Sequence, residues 1–369
     1  MQKLVFVSSL PVSRIFGEKV HARWFAENGF EVQFWDISPL FYSGERLEQY
    51  FGGAATYRYE GPNHRIFRAR QDVEQAVEDL VTTDRVLYLS RFFKTTDDDW
   101  IFAKLHDKKI RYYFQHFDTN IEPSRLSIKV RRLITEHKQR FLNRYLKPHA
   151  VIGSGRMGRR QACAIFRSAK FISIPSVKVL WETTGPVIEG GYSVFVDENI
   201  DYAPDAKLLG HSVCIDPDAY YARLNHFLDQ IEKWSGLPVV VAASGKYQYP
   251  RDRFSGRQLV YGKTLSLIQR AELVVGHVSL ALDQCLVSEK PVLILDDPAF
   301  SPYKRSGFAS SLLNFVTKPV MVTSVTRSIF DRALQPETAT MRRIVLDYLR
   351  EEEVDSGFVD IMKSEFQRA

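Results

Sequence analysis

The residues able to do acid–base or phosphate chemistry cluster where short apolar runs end. Asp197-Glu198 follows the run Tyr192–Val196, where two adjacent carboxylates can act as base or nucleophile, or close a solvated turn ahead of Pro204. His116 and Asp118, within Gln115-His116-Phe117-Asp118, follow the run Ile110–Gln115 and can deprotonate an acceptor hydroxyl, or cap a loop. Gly276-His277-Val278-Ser279 ends a third run. Gly276 permits a tight turn there, and Ser279 stands where it caps the next helix. A helix start offers unpaired N–H groups and partial positive charge, which suit a phosphate. His277 can donate to a phosphate or to a leaving oxygen, and Asp283 lies one turn into the helix. Ser244-Gly245-Lys246 follows the run Leu237–Ala243 and brings a hydroxyl and an ammonium to the same kind of place.

Weaker signals stand elsewhere. Gly153-Ser154-Gly155-Arg156-Met157-Gly158 spells G-x-G-x-x-G between a strand and a helix, but residues 171–180 hold no acid to meet a ribose. A dinucleotide fold also wants the motif at its first strand, so NAD binding is rejected. Gly153, Gly155 and Arg156 then cradle an acceptor phosphate, or form a tight turn. Glu18, at the start of the helix after the loop Ser8–Gly17, complements the helix dipole or serves the acceptor. Asp296-Asp297 is a single acidic pair, which more often caps a turn than ligates magnesium, so no metal is expected. Cys163, Cys214 and Cys285 form no C-x-x-C pair and read as small buried hydrophobes, their sparse use fitting a reducing compartment.

The elements positioning these residues alternate between strand and helix patterns. Lys3–Ser8, Glu31–Asp36, Arg85–Ser90, Ile110–Gln115, Ala150–Ile152 and Lys170–Ile174 read as strands. Between them Gly17–Asn28, Val73–Leu80, Asp97–His106, Ser127–Tyr145 and Met157–Phe166 read as helices, while 43–70 reads as irregular. The Pro- and Gly-rich stretch Pro175–Gly191 reads as a linker. A second series comes after it, with strands near Tyr192–Asp197, Leu237–Ala243, Gln258–Tyr261, Glu272–Val275, Pro291–Leu295 and Val320–Thr323. Its helices include Asp216–Trp234, opened by the cap signal Asp216-Pro217, and Leu280–Val287. The chain is therefore expected to be α/β, with two Rossmann-like parallel-sheet domains (1–180 and 181–369) facing a cleft and terminal helices crossing back.

Composition supports a globular protein: 369 residues, 45% hydrophobic, net charge +6. The positive charge is concentrated in Arg125–Lys170, where Glu136 is the only acid. That asymmetry suggests an anionic partner, either a diphosphate-linked lipid or an anionic membrane surface, or else a solvated helix face. No zinc finger, basic zipper or RNA-binding aromatic motif accompanies it, so nucleic acid is not expected. The N-terminal apolar run is too short for a signal peptide and reads as a strand, giving an expectation of a cytoplasmic protein, peripheral at the inner face of a membrane at most.

The segment Ala271–Leu295 resembles the donor-site segment of GT-B glycosyltransferases. The resemblance implies that Gly276, Ser279 and the helix start face the donor phosphate, that Asp283 accepts from ribose hydroxyls, and that Glu289-Lys290-Pro291 turns into the next strand. A wider stretch, Phe195–Phe315, is similar to bacterial O-antigen and capsule glycosyltransferases, some of them sialyltransferase-like. It is carried by Val196-Asp197-Glu198, Pro217–Tyr221, Val240–Ala243, Tyr261–Thr264 and Gly276–Ser279, about a third of the chain. It implies transfer of a sugar from a nucleotide-activated donor to a growing glycan or lipid-linked acceptor, with no metal and no resident cofactor. Such proteins carry His-Pro where this chain has Ser244-Gly245-Lys246, which argues against a CMP-sialic acid donor and gives Lys246 the cationic role. Two alternatives remain open: a nucleotide-sugar epimerase of the same architecture, and a catalytically silent partner in a polysaccharide assembly complex.

Overall fold

A computed structural model describes residues 2–13, 22–51, 59, 61, 63–90, 99–116, 146–166, 169–176, 187–211, 215–244, 249, 252–301, 304–305, 307–308, 311–350 and 365–366. The chain divides into two compact units. One comprises Met1–Glu48, Thr56–Val177 and Leu346–Ala369, and the other Gln49–Ala55 and Lys178–Val345.

The first unit holds seven parallel strands: β1 (Gln2–Ser8), β2 (Phe30–Asp36), β3 (His64–Ile66), β4 (Arg85–Ser90), β5 (Arg111–His116), β6 (Ala150–Gly153) and β7 (Lys170–Ser173). Their spatial order is β3-β2-β1-β4-β5-β6-β7. Parallel strands need crossovers, and helices such as Arg70–Glu78 and Asp99–Asp107 supply them. Both sheet faces are covered, so β1 is apolar throughout: Leu4, Val5, Phe6 and Val7 are all fully buried. Val5 and Val7 join Trp35, Val86, Phe114 and the two crossover helices in one core layer. Phe6 belongs to an aromatic layer with Phe34, Phe25 and Phe30, to which Phe366 from the end of the chain is added. The short β3 and the helix Gly44–Phe51 lie inside the stretch expected to be irregular. β3 is only three residues long, and the helix, though Leu47, Tyr50 and Phe51 recur at helical spacing, buries no residue.

The second unit holds six: β8 (Ser193–Val196), β9 (Val239–Ala243), β10 (Leu259–Tyr261), β11 (Leu273–Gly276), β12 (Val292–Asp296) and β13 (Val320–Met321). Their order is β10-β9-β8-β11-β12-β13, again all parallel. In each sheet the first strand of the series is central, the next two lie on one side and the rest on the other. This is the doubly wound arrangement. The helix Pro217–Ser235 packs against the second sheet through Tyr220, Leu224, Phe227, Leu228 and Ile231. It begins as its sequence implies. Asp216 accepts from the N–H groups of Asp218 and Ala219, Pro217 takes the first turn, and Gly236 closes the helix at φ 70°.

After the helix Thr338–Ile344 a π-helical turn, Val345–Leu349, carries the chain back to the first unit. There Ser154 donates to the Tyr348 carbonyl at 3.0 Å, and the Ser176 N–H donates to the Leu349 carbonyl at 2.7 Å. No helix among the described residues is long and apolar enough to cross a membrane.

Candidate active site

In a doubly wound sheet the connections on either side of the first strand leave in opposite directions, which opens a crevice at the carboxyl ends of the strands. In the second unit that crevice lies between β8 and β11. Val196 pairs with Gly276 in register, so the next residues of each strand, Asp197-Glu198-Asn199 and His277-Val278-Ser279, leave the sheet side by side. Sequence reasoning singled out both segments separately, and the sheet brings them together.

Asp197 is 5% exposed. Its Oδ2 accepts from the Asn199 N–H at 2.9 Å and from the Tyr249 hydroxyl. Among the described residues its Oδ1, which is buried, has no hydrogen-bond partner, and neither side-chain polar atom of the fully buried Asn199 has one. Burial pushes the Asp197 carboxyl up to about 7, against the opposing effect of the Tyr249 and Asn199 hydrogen bonds. The same burial, with the nearby Asp197 charge, pushes the Tyr249 and Tyr221 hydroxyls well above the ordinary phenol value. Asn199 itself holds φ 55°, a left-handed conformation that asparagine tolerates better than most residues. Glu198 forms an ion pair with Lys304, which lies beyond β12 in the chain.

His277 is fully enclosed. Its Nδ1–H donates to the Leu295 carbonyl at 2.8 Å, which leaves Nε2 to accept from the Tyr220 hydroxyl at 2.8 Å. Phe195, Phe300 and Tyr220 surround the ring. Burial holds its pKa down at about 3, so the imidazole is neutral. With both nitrogens committed, none is left for the direct phosphate contact expected from the sequence. His277 instead ties the ends of β11 and β12 to the helix Pro217–Ser235.

Gly276 is needed for closeness rather than for a left-handed turn: a Cβ there would stand 3.0 Å from Leu282 Cδ1 and 3.4 Å from the Val196 carbonyl. Ser279 caps as expected, its Oγ accepting from the Ala281 N–H at 3.3 Å. Beyond Ser279 the chain departs from the single helix Leu280–Val287 read from the sequence. It forms a 3₁₀ turn, Leu280–Asp283, and then one short α-turn, Gln284–Val287, so the aligned dipole is smaller than a full helix provides. Asp283, expected to meet ribose hydroxyls, is 4% exposed. Ser244 directly follows β9, beside β8, and is half-buried.

Other expectations fall outside this cluster. Glu18, Asp118 and Lys246 lie outside the described residues, as does half of the basic stretch, including the helix expected at Ser127–Tyr145. His116 ends β5, the side chain itself being outside the description. Gly153 ends β6, and Gly155, at φ 66°, opens the next helix. A Cβ on Gly155 would stand 2.5 Å from the Asp347 carbonyl, and Arg156 pairs with the Asp347 carboxylate at 3.3 Å. These contacts give the glycine motif a packing duty toward the returning chain, where a phosphate cradle had been one of two expectations. Asp297 accepts two hydrogen bonds from Arg223, at 2.7 and 3.1 Å, and Asp296 pairs with Arg305 at 3.2 Å. Among the described residues no group of three His, Cys, Asp or Glu could hold a metal ion.

Asn199, Tyr249 and Lys304 were missed. Asn199 had a signal, its place at a strand end beside two carboxylates. Tyr249 and Lys304 had none, because their partners Asp197 and Glu198 lie far off in sequence.

No family model and no curated protein sequence matches the chain. Solved structures do resemble it along its full length. MurG of Acinetobacter baumannii aligns over 100% of both chains with a TM-score of 0.51 and 9% identity. The calicheamicin glycosyltransferase CalG4 aligns over 100% of this chain and 98% of its own, with a TM-score of 0.56 and 10% identity. The glycosyltransferase SnogD from Streptomyces nogalater covers 99% and 98%, with a TM-score of 0.51 and 10% identity. At such identities the likeness concerns architecture, and with its seven- and six-stranded parallel sheets the chain has the GT-B fold of these glycosyltransferases.

Proposed function

We propose that the chain is a glycosyltransferase whose nucleotide-activated donor binds at the mouth of the second sheet, between β8 and β11. The observation carrying this reading is the strand-order reversal that sets Asp197–Asn199 beside Gly276–Ser279 at the carboxyl ends of a parallel sheet. The glycosyltransferase fold of the chain supports sugar transfer. Transfer forms a bond from an acceptor oxygen to the anomeric carbon, breaks the bond from that carbon to the phosphate oxygen, and passes the acceptor proton to a base. Asp197, with a pKa of about 7, suits that task near neutral pH, and Glu198 stands next to it. Ser279 and the N–H groups of its turn suit the departing phosphate, though the turn is short.

The acceptor we infer is a growing surface glycan, as O-antigen, capsule or a lipid-linked precursor. The similarity of Phe195–Phe315 to such proteins and the basic stretch Arg125–Lys170 support it, and the latter also supports peripheral contact with an anionic membrane. No metal or resident cofactor is part of the proposal.

Calorimetric titration with a panel of nucleotides and nucleotide sugars, then incubation with and without glycan acceptors, tests the reading. Saturable nucleotide binding and acceptor-dependent release of nucleotide are expected. Product formed without acceptor would identify an epimerase, and nucleotide binding without turnover a silent partner. Failure of every nucleotide to bind would overturn all three.

A further inference from the structure

Among the described residues, Arg223, Arg253, Lys304 and Arg305 lie on segments around the carboxyl end of the second sheet, and the three arginines are each paired with an aspartate. Arg223 is forked onto Asp297, a carboxylate 1% exposed that also accepts from the Ala299 N–H. Arg305 reaches both Asp296 and the Asp297 carbonyl. Arg253 lies over the Tyr221 ring at 4.6 Å and faces Asp201 at 3.5 Å. Lys304 differs. Its ammonium pairs with Glu198 and stands 6.0 Å from the centre of the Phe300 ring, which itself packs 4.8 Å from His277. The pair therefore links the segment after β12 to the segment after β8, close to the end of β11. Both side chains keep some solvent contact, 21% for Lys304 and 13% for Glu198.

A lysine is a compact charge with three donors on a flexible stem, so it changes partners more readily than a forked arginine. A phosphate oxygen competes well with a carboxylate for it, since both make charge-assisted hydrogen bonds and a diphosphate brings more negative charge. The residues flanking Glu198 add a second observation: Asp197 Oδ1 and the whole Asn199 amide are buried without partners among the described residues. Such groups are costly unless a ligand or ordered water satisfies them. A ligand carrying hydroxyls beside a phosphate has the complementary chemistry.

We propose that Lys304 receives the phosphate of the nucleotide-activated donor, which displaces Glu198 from it. This rests on the donor site lying at the β8–β11 crevice. In the ligand-free protein Glu198 is the competitor that occupies the phosphate's cation, and donor binding exchanges one ion pair for another.

The test titrates inorganic pyrophosphate, and the tightest nucleoside diphosphate from the panel, into the wild-type protein and into Lys304→Met, Lys304→Arg and Glu198→Gln. The expected loss for Lys304→Met is ~10-fold or more in affinity, with Lys304→Arg restoring most of it. Glu198→Gln is expected to tighten both ligands by about 3- to 10-fold, because it removes the competitor while keeping the shape. The parent nucleoside, lacking phosphate, should bind all four proteins alike. Unchanged affinity in Lys304→Met, or weaker binding in Glu198→Gln, overturns the proposal and leaves the pair a structural contact. Should Lys304→Met fail to fold by circular dichroism, the sign of the Glu198→Gln effect decides alone. If the wild-type protein binds neither pyrophosphate nor any nucleotide, the broader reading fails. If it binds them and the variants do not differ, only the role of Lys304 fails.

Discussion

Each sheet places an aspartate at a strand end near its point of strand-order reversal, and the two are treated in opposite ways. Asp36, closing β2 in the first unit, has both carboxylate oxygens engaged by backbone and side-chain donors of its own chain. One oxygen accepts from the Val12 N–H at 3.0 Å, and the other from the Ser38 N–H at 2.9 Å and the Ser38 hydroxyl at 2.6 Å. Those bonds hold the Val12 segment and the Ser38 turn in place. Asp197, directly after β8 in the second unit, is equally buried yet has one oxygen without a partner among the described residues, and burial raises its pKa to about 7. A carboxylate whose two oxygens are both engaged by its own chain is a fastener. One left buried and incomplete beside an unsatisfied amide is a receptor for something else.

The largest expected effect comes from removing the incomplete carboxylate. Asp197→Asn should lower acceptor-dependent turnover by about 10²- to 10⁴-fold while the protein folds normally. It should also change the pH dependence of stability. The folded-state pKa is raised above the ordinary 3.8, so the unfolded chain loses its proton first. The stability associated with this group is complete below about pH 4 and is lost as pH rises toward 7, by roughly 4 kcal/mol at most. Urea melts at pH 5 and pH 8 should show that decline in the wild-type protein and a flatter profile in Asp197→Asn. Parallel profiles would contradict a raised pKa.

Two glycines extend the comparison of the units. Gly155→Ala, in the first, combines a left-handed φ with a clash against backbone and should cost about 3 kcal/mol in a denaturant melt. The fastening aspartate comes next. Asp36→Asn keeps one acceptor oxygen and should cost about 2 kcal/mol, with turnover per folded molecule unchanged, as a fastener requires. A turnover loss comparable to that of Asp197→Asn would erase the distinction between the two carboxylates. Gly276→Ala should be mildest, about 1 kcal/mol, because the end of the Leu282 side chain can give way where the backbone at Gly155 cannot.

Much of this architecture was legible in the sequence because buried parallel strands are short apolar runs with little else to signal. The strand Arg85–Ser90 lies where the pattern put it, β9 begins two residues into the run read at Leu237–Ala243, and Asp216-Pro217 announced its helix. β3 was not legible, since its three residues carry no run, and its place is set by pairing with Phe34–Asp36. The site was half legible. Asp197, Glu198 and Gly276–Ser279 could be chosen because strand ends are where ligands bind, but their adjacency depends on strand order, which no local pattern encodes. His277 shows the limit most clearly. Its residue type suggested a phosphate contact, and only the fold shows both nitrogens committed to Tyr220 and Leu295. The 3₁₀ turn Leu280–Asp283, in place of the first turn of the helix expected there, likewise had no local signal in the sequence.

The most direct test of a donor site at the second sheet is amide hydrogen exchange with and without the tightest nucleotide sugar. Slower exchange is predicted in peptides spanning residues 197–199 and 276–283, with no change in the turn at 36–38. Protection confined to the first unit, or none at saturating ligand, would contradict the account.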